Sequence, residues 1–244
     1  MKTYLVVGAG GTIGMEVVRR LRAEKNVVIA TVRYSQDVTP MSMLQDMGAV
    51  VHLLDDVSNR TEVEGCMSKI ALHGPLDGII YAVGHCPPQG FAEAVRYTLS
   101  MLPLETMSKE VDMYQMGPLN VFQVFLKHLR SDGCFLFISS AITRLADEKW
   151  PPFLQAHYHA AAMSAYDWLI RGMRFDERVQ ARAIKVHRLA PAAVDTPFHD
   201  CDGFPKPPVL IPVETVVGEV VKALQSDTVV DREVLDPMGV EVPA

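Results

Sequence analysis

Cysteine is scarce in this sequence: Cys66, Cys86, Cys134 and Cys201 stand far apart in 244 residues. No two form a CxxC pair and none has metal-site spacing, so free thiols in a reducing cytoplasm are expected, with no metal. Long apolar runs are missing too. None approaches the ~20 residues of a membrane span, and Met1-Lys2-Thr3 leads straight into a short apolar stretch, leaving no room for a signal peptide. Positive charge is in deficit. A net charge of −6 argues against a nucleic-acid surface. Internal repeats, low-complexity tracts and linkers are also lacking, so one domain over residues 1–244 is expected.

What remains is an ordinary apolar content, 49%, arranged in alternating short runs and helical patterns. Apolar runs at Thr3–Val7, Val27–Val32, Ala49–Leu54, Leu76–Val83, Cys134–Ile138 and Ala183–Leu189 read as strands, with a short last one at Glu233–Asp236. Helical patterns lie between them, including Val111–Leu129 with Pro118 inside it, an alanine-rich stretch over Phe153–Glu177, and Val213–Gln225. Ser58 or Asn59 is a candidate cap for a helix that His73-Gly74-Pro75 stops. Alternation of this kind predicts an α/β protein: a doubly wound, Rossmann-type parallel sheet of about seven strands with helices on both faces.

The first strand ends abruptly in Gly8-Ala9-Gly10-Gly11-Thr12-Ile13-Gly14, and a helix pattern follows at once. Glycines let the backbone turn sharply and approach a pyrophosphate, while the free amides and dipole of the new helix favour its charge. Gly8, Gly11 and Gly14 recur every three residues, which is not the GxGxxG spacing. A dinucleotide cradle is the expectation. At the end of the second strand, a carboxylate would take the ribose hydroxyl of NAD and a guanidinium the 2′-phosphate of NADP. Thr31–Gln36 holds no Asp or Glu but does hold Arg33, with Ser35 able to add a hydroxyl. NADP (as NADPH) is therefore the expected cofactor. Residues 197–212 carry five prolines and read as a substrate lid.

The turn and its alternating elements resemble the short-chain dehydrogenase/reductase family from Thr3 to about Asp236. Val7–Gly14 is similar to its TGxxGxxG form, with valine for threonine. The resemblance implies cofactor contacts at Gly8, Gly11, Thr12, Ile13 and Gly14. It also places Asp56 and Val57 against the adenine, and Ala82 and Gly84 under the cofactor, where the family has Asn-Asn-Ala-Gly and this chain has Tyr81-Ala82-Val83-Gly84. Thr196 falls beside the nicotinamide amide, in a Pro191–Thr196 segment with alanine for the usual glycine.

The family's serine and tyrosine correspond to Ser140 and Tyr158. Its lysine would stand where Ala162 is, and Tyr114 occupies the asparagine's place. His157 and His159 flank Tyr158 but point about 100° away around a helix, and do not take over the lysine's geometry. Ionising an ordinary tyrosine at neutral pH costs roughly 4 kcal/mol, so without the lysine alcohol oxidation should be slow. Reduction suffers less, because the phenol then begins as the acid. An NADP-dependent reductase of a carbonyl, imine or activated double bond on a small apolar molecule is expected, with Tyr158 giving the proton and Ser140 orienting the substrate. A repurposed cyclase or isomerase, or a non-enzymatic NADP-binding protein, is the alternative. The resemblance also implies a homodimer or homotetramer.

Overall fold

The computed structural model describes residues 1–34, 38–84, 103–144, 157–197 and 209–234. Seven strands form one parallel sheet in the order β3-β2-β1-β4-β5-β6-β7: β1 (Thr3–Val7), β2 (Val27–Val32), β3 (Val50–Leu53), β4 (Leu76–Tyr81), β5 (Leu129–Ile138), β6 (Lys185–Pro191) and β7 (Asp231–Val234). The order reverses between β1 and β4, and a parallel α/β sheet opens a ligand crevice beyond its strand ends at such a point.

Side chains alternate across a strand, so each strand feeds two cores. On one face Leu5, Val7, Ile79, Tyr81, Phe135 and Phe137 pack under α3 (Arg60–Ile70), α5 (Gly117–Phe125) and α6 (His157–Met173). On the other, Tyr4, Val6, Ile80, Leu136 and Leu189 pack under α1 (Thr12–Ala23), α2 (Thr39–Asp46) and α8 (Val213–Gln225). Helices thus cover both faces, as the sequence predicts.

Four expected elements differ. The Val111–Leu129 helix instead starts as α4 (Leu104–Val111), widens into a π turn over Asp112–Met116, and restarts as α5. Pro118 explains the break: it has no amide to donate, and its ring crowds the carbonyl four residues back. Ser131-Asp132-Gly133 lies inside β5 rather than before it. The β4–β5 register shifts between Leu76 and Gly78, and Asp132 takes φ +60° to absorb the extra residues. The alanine-rich helix ends at Met173, and Asp176 caps a separate α7 (Glu177–Ala181) by accepting from the Arg178 amide at 2.9 Å. Asn59, not Ser58, caps α3, accepting from the Thr61 and Glu62 amides. β7 begins two residues before its expected start at Glu233, and residues 235–236 lie outside the described residues.

Candidate active site

Backbone geometry makes the cradle. Gly8 sits at φ +83°, and a Cβ there would lie 2.9 Å from the backbone of Ala82 and Val83. A Cβ on Gly14 would lie 2.4 Å from the Gly8 carbonyl oxygen. These two positions accept only glycine, one because the chain reverses against β4, the other because α1 starts directly on the turn. Thr31, buried at the end of β2, accepts from the Gly8 amide at 3.3 Å. No side chain caps α1 at Gly11, so its first-turn amides are left for a ligand.

Beyond the cradle a cleft of about 380 Å³ opens along the ends of β1 to β4. Of the residues assigned to the cofactor from the sequence, Gly8, Gly11, Arg33, Asp56, Val57, Ala82 and Gly84 line this cleft. Thr12, Ile13 and Gly14 sit in the first turn of α1 and are not lining residues. Thr196, half-buried beyond β6, does not line it either, and Ser35 lies outside the described residues. Only the ends of the expected lid at 197–212 are described. There Val194 and Ile211 form a parallel bridge, with the Asp195 amide on the Ile211 carbonyl at 2.9 Å.

Sequence reasoning missed several walls and supports. Val38, Pro40, Met41 and Leu53 give the cleft its apolar side, and Met113 stands at its far end. Asp55 holds the rim by accepting from the Tyr34 amide at 2.5 Å. Asp56 accepts from both the amide and the hydroxyl of Ser58, at 2.8 and 2.7 Å, which sets the turn between β3 and α3. Asn120, the one amide side chain in an otherwise apolar α5 face, donates to the Val57 and Ser58 carbonyls. A buried amide within a hydrophobic helix was the available signal.

The expected catalytic pair is placed but not joined. Ser140 lies half-buried two residues beyond β5, and its hydroxyl oxygen accepts from the Ile142 amide at 3.3 Å. Tyr158 is buried at the start of α6, and its hydroxyl has no hydrogen-bond partner among the described residues. Burial, then the nearby Glu110 charge, push the phenol well above its ordinary value. Glu110 is itself buried and sits 2.7 Å from His159 Nδ1, while Tyr114 lies edge-on to that imidazole. Ala162 is fully buried one turn beyond Tyr158. On the sheet side of α6, Asp167 is buried. One of its oxygens accepts from Ser139 at 2.5 Å and the other from Thr143 at 3.2 Å.

The short chain dehydrogenase pattern matches residues 2–201. The chain belongs to that family. Short-chain dehydrogenases are oxidoreductases that bind NAD or NADP, and the uncapped α1, the two obligatory glycines and the cleft beside them fit such a dinucleotide. The fold is also that of a Serratia marcescens short-chain dehydrogenase/reductase, at 20% identity and TM-score 0.75 over 96% of both chains. BdcA in complex with NADPH is similar at 21% and 0.74, over 96% of this chain and 93% of that one. A blue fluorescent protein from a metagenomic library, also in complex with NADPH, is similar at 19% and 0.79 over 96% of both. No curated protein sequence matches. Among the described residues of this short-chain dehydrogenase, no cluster of three His, Cys, Asp or Glu side chains could hold a metal ion, and no helix is long and apolar enough to cross a membrane.

Proposed function

We propose that this short-chain dehydrogenase is an NADP-dependent reductase of a small apolar carbonyl, imine or activated alkene. The observation that carries the direction of reaction is the charge beside Tyr158. A cation there would favour the tyrosinate, but among the described residues the charged neighbour acting on this phenol is the carboxylate of Glu110, and Ala162 offers no charge. A phenol held protonated serves as an acid, so it gives a proton to a developing oxyanion or amide rather than taking one from an alcohol. Ser140 accepts from the Ile142 amide, which leaves its own hydrogen to donate to the same substrate oxygen.

For the cofactor, Arg33 on the cleft wall supports NADP, since its planar fork suits a 2′-phosphate and β2 ends without a carboxylate. Gly8 to Gly14 would hold the pyrophosphate, with Asp56 and Val57 beside the adenine. The dinucleotide supplies hydride when bound. Retention of NADPH in solved structures of the same fold supports this reading.

A second reading, cofactor binding without reduction, is favoured by one observation: no hydrogen bond joins Ser140 to Tyr158 among the described residues. NADPH absorbance at 340 nm, followed across a panel of carbonyls, imines and enones, separates the two. Reduction predicts consumption that Tyr158→Phe lowers by about a hundredfold or more. Tight NADPH binding with no consumption over the whole panel supports the second.

The chain is also expected to pair with a second copy across α5 and α6. Trp168 and Phe175 are 70% and 75% exposed there, beside a groove lined by Leu119, Phe122 and Leu169. Light scattering at several concentrations tests this, and a monomer throughout would contradict it.

A further inference from the structure

Arg188 is 1% exposed, on the central part of β6, and a buried guanidinium must find carboxylates. It has three. Nε lies 2.9 Å from Asp231 and Nη2 lies 3.1 Å from Glu233, both on β7, while Nη1 lies 3.6 Å from Asp167 on α6. Asp231 is held in turn by Arg174 at 2.6 Å. The charge is thus anchored to the edge strand and leaves one face for a single carboxylate on α6.

That carboxylate reaches further. Asp167 takes the Ser139 hydroxyl on one oxygen and the Thr143 hydroxyl on the other. Ser139 is the residue before Ser140, and Thr143 belongs to the 3₁₀ turn Ala141–Arg144 that follows it. Thr143 also donates to the Ser140 carbonyl, at 3.3 Å; its single hydrogen is shared between that carbonyl and Asp167. The peptide that presents Ser140 is therefore gripped from both sides by one side chain. Asp167 lies nine residues along α6 from Tyr158, so the same helix that carries the phenol holds the serine turn.

We propose that Asp167, backed by Arg188, is the positioning residue that fixes Ser140 relative to the Tyr158 helix. This rests on the reductase reading for its use in catalysis, but the grip itself is independent of that reading. A carboxylate is the group required, because two hydroxyl donors need two acceptor oxygens, and Arg188 beneath compensates the buried charge. An asparagine offers one acceptor and two hydrogens, so it satisfies only one hydroxyl as a donor. Buried and bonded to Ser139 and Thr143, Asp167 acts through Ser140.

The amide of Ile142 reports the grip, because it donates to the Ser140 hydroxyl oxygen. Ser139→Ala and Thr143→Val each remove one donor without leaving a charge unpaired. Hydrogen exchange on the full chain with NADPH bound should show the amides of residues 140–143 exchanging about tenfold faster or more in each variant, the size expected for losing a hydrogen bond to a charged group. Exchange in β1 and β4 and the NADPH affinity should stay unchanged. Asp167→Asn should give an intermediate effect, and Asp167→Glu should not restore the wild-type rate, since the longer arm displaces both oxygens. Exchange in the turn at the wild-type rate in Ser139→Ala and Thr143→Val overturns the proposal. Where a substrate of the wild type is found, kcat should fall in both variants by tenfold or more with KM little changed. A large loss in Ser140→Ala with no loss in these two also overturns it, while leaving the reductase reading intact. If exchange quickens but no substrate is ever reduced, the grip is supported and the reductase reading is what fails.

Discussion

The side-chain amide of Asn120 donates to the carbonyl of Ser58 at 2.7 Å, and to that of Val57 at 3.2 Å, across 62 and 63 residues of sequence. One buried side chain on α5 thereby ties the turn after β3, a wall of the cleft, to the helix layer that α3 and α5 share. Asn120→Ala leaves two carbonyls without a donor, at a cost of about 1–3 kcal/mol. Thermal unfolding should show that loss, and titration should show NADPH bound several-fold more weakly. Unaltered affinity would mean the wall is held by other contacts.

Gly14 has no room for a side chain. Its neighbour at 2.4 Å is the carbonyl oxygen of Gly8, a backbone atom that moves only if the cradle moves. Gly14→Ala should therefore cost about 1–3 kcal/mol or more and abolish measurable dinucleotide binding. Gly65→Ala is the control: nothing lies within 4 Å of a Cβ there, and stability should hold or rise.

The proposed preference for NADP rests on Arg33. Arg33→Ala should weaken NADPH by about ten- to a hundredfold, as for a lost hydrogen bond between charged groups, and leave NADH within about twofold. Isothermal titration with both cofactors checks this, and equal losses would remove the basis for the NADP assignment.

His187 sets an acid limit on stability. It is fully buried and accepts the Val230 amide at 3.0 Å through Nδ1, a role open only to the neutral ring. Burial, with Lys185 and Arg174 adding to it, lowers its pKa from 6.5 to about 4. Between those values the unfolded chain binds the proton and the native one does not, so stability falls as pH drops through that window. The loss reaches about 3 kcal/mol by pH 4. His187→Asn, which keeps an acceptor but does not titrate, should flatten denaturant midpoints measured from pH 7 to pH 4.

The cradle and most of the sheet were legible because their causes are local. Gly8 and Gly14 answer to the backbone within a few residues of themselves, and β1 and β2 are apolar runs bounded by turn residues. The π turn before Pro118 and the bulge at Asp132 were not. Each depends on how a neighbouring element accommodates a residue that the local pattern marks only as a breaker. Asp167 illustrates the limit for the site. Its hydroxyl partners Ser139 and Thr143 lie 28 and 24 residues away, and nothing in an alanine-rich helix says which strand end it will meet. Ser140 and Tyr158 are assigned by resemblance, whereas Asp167, bonded to Ser139 and Thr143 on either side of Ser140, and Glu110, near the phenol, became visible only in the packed molecule.

The bridge between Val194 and Ile211 has a consequence for how the protein can diversify. The two ends of the intervening segment are already fastened to one another, so the entropy of bringing them together is met by the scaffold. Lengthening a tethered loop costs little, about 0.6 kcal/mol for each doubling. The stretch between them can then be lengthened or shortened with β6 and α8 undisturbed, so this is where the chain tolerates insertion most cheaply.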